Sequence, residues 1–191
     1  MLDRTEEQVL YMRGGVFVRH VCLLFLLSSV ILASLASPVA AQEKQYRDPG
    51  GGFSLAYPGD LTVVDNDIKN CLTLFSKERG FALAVSYADA AGLPGNNIQQ
   101  LCRQYPFVEL MCIEKIKESG FEVQSKNEVN FKGIPALQYG LETAKNNTAF
   151  SGDSLMFING GRMYFILFHG IKKDYAKNTS LFNSIMATLK I

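Results

Sequence analysis

Between the glycine run at 50–52 and the stop Pro58-Gly59-Asp60, Phe53, Leu55 and Tyr57 alternate with Ser54 and Ala56. A period of two places alternate side chains on opposite faces, so this stretch is a strand with one face turned into a core. The segment 48–61, DPGGGFSLAYPGDL, therefore marks where the folded domain begins, and the rest of the chain must supply its partners. Residues 61–64, 71–75 and 81–87 are short apolar or alternating runs. Asp65-Asn66-Asp67 and Lys77-Glu78-Arg79-Gly80 read as turns between them, which predicts an antiparallel meander.

The period then changes. Residues 89–95 form a loop rich in Ala, Gly and Pro, after which Ile98, Leu101, Cys102 and Tyr105 recur at helical spacing and Val108, Met111, Cys112 and Ile116 continue it. Pro106 removes a backbone donor and clashes with the preceding turn, so two helical pieces are expected with a break near it, the second ending at Gly120. Strands resume over 121–131, 134–141, 154–158 and 162–169, the last two flanking the tight-hairpin residues Asn159-Gly160-Gly161. Met163 to Phe168 is apolar on both faces and is expected at the centre of the sheet. A closing helix over 174–189 carries Tyr175, Phe182, Ile185, Met186 and Leu189 on one side, which must lie against the sheet. This order gives an α+β fold, an antiparallel sheet with helices packed against it.

Ahead of the domain, Arg13 and Arg19, the apolar run 21–35 and Val39-Ala40-Ala41 make the three parts of an export signal. The apolar run is short of the roughly 20 residues that span a bilayer. Residues 1–41 are read as a signal peptide cleaved near Ala41, and 42–191 as a single domain. An uncleaved N-terminal anchor is the alternative and the one route to a membrane; either Met1 or Met12 serves as the start. The expected location is the periplasm or the exterior of a bacterial cell. A formal net charge of +1 with both signs scattered leaves no basic stripe, which excludes a nucleic-acid partner.

Cys71, Cys102 and Cys112 follow the leader. In an oxidising compartment Cys102 and Cys112 are the favoured disulfide pair, because Pro106 between them turns the chain back; inert buried thiols are the alternative. There is no C-x-x-C pairing, and His169 is the one histidine after the leader, so neither a metal site nor a cofactor is expected. Asp65 and Asp67 fit a solvated turn better than a cation site, and Gly50-Gly51-Gly52 lacks the helix and lysine of a phosphate cradle. Asn146-Asn147-Thr148 and Asn178-Thr179-Ser180 match the N-glycosylation pattern, idle in a bacterial envelope.

The opening Phe-x-x-x-Tyr-Pro strand at 53–58, a strand leading into Gly133-Ile134-Pro135-Ala136, and the 164–168 strand followed by Leu181-Phe182-Asn183-Ser184-Ile185 and Leu189-Lys190-Ile191 together resemble the PsbP and Mog1-like superfamily. The resemblance spans nearly all of 42–191. It implies an α/β/α sandwich and an accessory or assembly role through protein contacts, in photosystem II for the plant and cyanobacterial forms and on a small GTPase for the nuclear form. No catalytic residues come with it, and no metal or GTPase-contact motif is found here.

The expected function is that of an exported, non-enzymatic accessory or assembly domain that binds another envelope protein. Leu93, Pro94, Tyr105, Pro106 and Phe107 are the candidate contact region, since the loop and the helix break interrupt an otherwise regular fold. One alternative is a carrier of a small apolar ligand, held between the sheet and the broken helix by Tyr105, Phe107 and Met111. The other is a thiol enzyme with His169 as base.

Overall fold

The computed structural model describes residues 42–64, 69–93, 95–118, 120–145 and 147–191. The leader 1–41, the Asp65-Asn66-Asp67 turn, Pro94 and Asn146 lie outside the described residues. Strands β1 (Glu43–Arg47) and β2 (Ser54–Pro58) form a two-stranded sheet of their own. The remaining strands are β3 (Thr62–Val64), β4 (Cys71–Ser76), β5 (Phe81–Asp89), β6 (Glu122–Phe131), β7 (Ile134–Lys145), β8 (Thr148–Asn159) and β9 (Arg162–Ile171). They form one seven-stranded sheet in the order β3-β4-β5-β9-β8-β7-β6, antiparallel throughout.

Two meanders thus meet where β9 pairs with β5. Their connection carries the helices α1 (Ile98–Gln104) and α2 (Pro106–Glu118), and a 3-10 turn at Lys172–Asp174 leads from β9 into α3 (Tyr175–Thr188). Strand β9 stands fourth of seven, the central place expected from its two apolar faces. Its Met163, Phe165 and Leu167 join a core with Ile98, Leu101, Cys112 and Ile116 of α1 and α2. Tyr164, Ile166 and Phe168 join a second core with Ile185 and Met186 of α3. The sheet is therefore covered on both faces, α1 and α2 on one and α3 on the other.

Two strands exceed what the pattern suggests. The strand expected over 154–158 starts earlier: Thr148 to Asp153 belong to β8 because β7 and β9 both pair with them, from Lys145↔Thr148 to Asp153↔Phe168. Backbone pairing on two sides overrides weak intrinsic preference. Strand β1 is polar and mostly exposed, and it is held by its register with β2, Glu43↔Pro58 to Arg47↔Ser54.

The glycine run is explained by close approach. Gly52 N–H and the Tyr87 hydroxyl both donate to Asp48 Oδ2 at 2.8 Å, and the Tyr164 hydroxyl donates to Gly52 O at 2.7 Å. A Cβ on Gly52 would stand 2.1 Å from the Tyr87 ring, so only glycine passes here. Asp48 is 3% exposed, so this loop is pinned to β5 by a buried carboxylate and to β9 by the Tyr164 hydroxyl. At the far end, Ser54 exchanges backbone hydrogen bonds with Lys190, 2.9 and 2.8 Å, and Thr188 Oγ1 accepts from Ala56 N–H at 2.8 Å. The opening strand and the end of α3 close on each other.

Candidate functional site

Helix α1 begins at Asn97, whose side chain accepts from the N–H groups of Gln99 and Gln100, an N-cap. It stops at Tyr105, whose φ of −130° and ψ of 76° are not helical. Pro106 is the cause: proline disfavours helical backbone in the residue before it and is itself well placed at the first position of a new helix. The break expected near Pro106 is therefore present. The Gln99 side chain donates to the carbonyls of Val129 (3.1 Å) and Ala136 (3.0 Å), and Arg103 pairs with Glu128 and Lys126 with Glu109 at 2.6 Å. These ties fasten the helices over β6 and β7.

The outer surface of this cover holds part of the sequence-derived contact region. Pro106 is exposed and Phe107 half-buried, its ring edge-on to Tyr105 at 6.2 Å. Leu93 and Tyr105 instead turn inward and pack against the core beneath α1 and α2. The sequence reading missed Leu110, one turn beyond Pro106 and 55% exposed. Its spacing from Pro106 is the signal that would have found it. Pro106, Leu110 and Glu114 form the exposed ridge of α2, with Phe107 and Met111 half-buried beside it.

The inner surface of the cover is different. Cys102 and Cys112 are both buried and both free thiols, so the bridge expected between them is not formed in this structure. Cys112 Sγ instead rests 3.4 Å from Met156 Sδ. Burial, first of all, pushes the Cys102 thiol up to about 11 and Cys112 up to about 12, the wrong direction for a nucleophile. Cys71 on β4 is half-buried, its Sγ 3.9 Å from Thr73 Oγ1.

His169 lies on the same face of the sheet, its ring between Phe121 (centroids 5.2 Å apart) and Phe150 (6.4 Å). Part of the residue reaches the surface, yet both ring nitrogens are sealed and have no hydrogen-bond partner. Burial lowers its pKa to about 4, which keeps the imidazole neutral. The thiol–imidazole pair of the enzyme reading is therefore not assembled. Ser154 Oγ and the Tyr139 hydroxyl are also buried without a partner. Glu109 lies near enough to Tyr139 to help raise its pKa, after burial, but outside hydrogen-bonding geometry.

Other sequence candidates are accounted for structurally. Asn178, in one glycosylation pattern, is 2% exposed and donates to the Arg79 carbonyl at 3.2 Å, so the fold withholds it from modification. Among the described residues no group of three or more His, Cys, Asp or Glu is arranged to hold a metal ion. Among them, too, no helix is long and apolar enough to cross a membrane.

No protein-family model matches the chain, and no curated protein matches it. Solved structures do. The solution structure of cyanobacterial PsbP from Synechocystis sp. PCC 6803 is similar over 84% of this chain and 98% of that one, at 12% identity and a TM-score of 0.58. A crystal structure from Bacteroides thetaiotaomicron is similar over 80% of this chain and 48% of that one, at 15% identity and a TM-score of 0.53. The Ran-binding protein Mog1p of Saccharomyces cerevisiae follows, over 79% and 96%, at 9% identity and a TM-score of 0.48. The likeness to PsbP is one of fold, and the resemblance carried by the sequence motifs holds at that level.

Proposed function

We propose that this chain of PsbP-like fold is an exported, non-enzymatic accessory or assembly domain that binds another protein of the cell envelope through the outer ridge of α2. The observation that carries the reading is Leu110. Among the described residues only Leu110 and Val63 are large hydrophobics with an exposed surface, and Leu110 continues an apolar line with Pro106, Phe107 and Met111. The Glu109–Lys126 and Arg103–Glu128 pairs flank that line with charge. An apolar centre inside a polar rim is the usual anatomy of a protein contact. Leu93 and Tyr105 support it from beneath, and Pro94 belongs to the same stretch of sequence. The leader-like segment 1–41 supports export to the periplasm or beyond.

The test is site-specific photocrosslinking in cells expressing the full chain, with the photoreactive residue at 107 or 110 and, as control, at 183 on α3. One envelope protein captured from 107 and 110 but not from 183, and lost when Leu110→Asp is introduced beside a crosslinker at 107, is the expected result. Equal capture from all three positions, or capture indifferent to Leu110→Asp, overturns it.

A further inference from the structure

Three polar side chains sit at neighbouring positions on the sheet face beneath α1 and α2. Tyr139 on β7 is directly opposite Ser154 on β8, and His169 on β9 is opposite Gly152, two residues from Ser154 on the same face of β8. Each presents polar atoms that are sealed from solvent and unpartnered. Buried polar groups are nearly always hydrogen-bonded, and each that is not destabilises the folded state. Three together on one patch is a concentration that packing alone does not explain. Elsewhere in the same core the side chains are apolar or satisfied, as with Ser86, whose hydroxyl donates to the Phe165 carbonyl.

We infer that this patch is a binding site for a small uncharged molecule with an apolar body and one hydrogen-bonding group. The polar set offers both donors and acceptors: two hydroxyls, and a neutral imidazole with one nitrogen of each kind. It offers no net charge. Glu109 and Lys126, the ion pair nearest Tyr139, compensate each other, so an anionic or cationic head would enter without a counter-charge. The surroundings are apolar: Met156, Phe121 and Phe150 stand around His169 and Ser154. Gly152 lets β8 pack closely on His169: a Cβ there would stand 2.8 Å from His169 Cβ.

The cover has joints on both sides of the patch. The helix break at Tyr105 lies at one end of α2, and Gly120, at φ +85°, lies at the other, immediately before Phe121. Phe121, immediately after the Gly120 joint, is the ring that covers His169, centroids 5.2 Å apart. The site differs from the pocket expected from sequence, since Tyr105, Phe107 and Met111 border the cover and the polar set lies under it. It is also independent of the protein-contact ridge, which occupies the outer face of the same helix.

The experiment uses the full chain and two probes of one shape, p-cresol and toluene, which differ by a hydroxyl. Binding is followed by the thermal midpoint and by the imidazole resonances of His169, assigned by their absence from His169→Gln. The expected result is that p-cresol raises the midpoint, shifts the His169 resonances and binds at least about tenfold more tightly than toluene, with Ser154→Ala narrowing that ratio. Equal affinity for the two probes, His169 resonances unmoved at saturating p-cresol, or a slowly exchanging water on His169 that neither probe displaces overturns the inference. The wild-type resonances decide the matter even where a variant folds poorly.

Discussion

At the residue scale, Asp48 and His169 are two buried titratable groups with opposite fates. Asp48 is satisfied: removing its carboxylate in Asp48→Ala leaves the Gly52 N–H and the Tyr87 hydroxyl buried without an acceptor. A loss of about 3 kcal/mol is expected, read as a lower urea midpoint at unchanged slope. His169 is unsatisfied and neutral. Its pKa falls from 6.5 to about 4 on folding, so between those values the unfolded chain takes up a proton that the native state refuses. Stability from this residue is complete above pH 6.5 and declines as the pH drops toward 4, by up to about 3 kcal/mol. The difference in stability between wild type and His169→Gln should therefore change steeply with pH over that window and be flat above it; a flat difference throughout would show that the imidazole is not sealed. Sequence located His169 at a strand end, but its environment was not legible. Phe150, Gly152 and Ser154 come to it through the register of β8 on β9, and Phe121 from just past the end of α2, none of which local pattern contains.

At the element scale, more was readable because the causes are local. The break between α1 and α2 follows from Pro106, and the centrality of β9 from an apolar run with two buried faces. Strand β1 was not readable, since a polar strand is defined by its partner and not by its own pattern. Another long-range device is Lys132, whose ammonium donates to the carbonyls of Ala187 (3.0 Å) and Leu189 (2.6 Å) and so closes the end of α3 from the β6–β7 turn. The carbonyl end of a helix carries partial negative charge, and a cation there is stabilising. Lys132→Ala should cost about 1 kcal/mol and speed amide exchange selectively over residues 186–190. Uniformly faster exchange across the domain would argue against a local cap.

At the scale of the whole molecule, the fold is two meanders zipped together by one central pair and sealed by a late contact between early and late sequence. That contact is Ser54 with Lys190, reinforced by Thr188 and by Leu189, which is 3% exposed. Deleting 189–191 should expose the core under β2 and lower stability by about 2–4 kcal/mol, with the β1–β2 hairpin becoming susceptible to proteolysis first. An unchanged thermal midpoint would refute the sealing role. The closure also sets an order in time. Strand β2 is made early, yet it has no finished seat until residue 190 has been synthesised and delivered. The β1–β2 hairpin is therefore the last part of the domain to be seated during synthesis, after the strands and helices between it and the C-terminus are already in place.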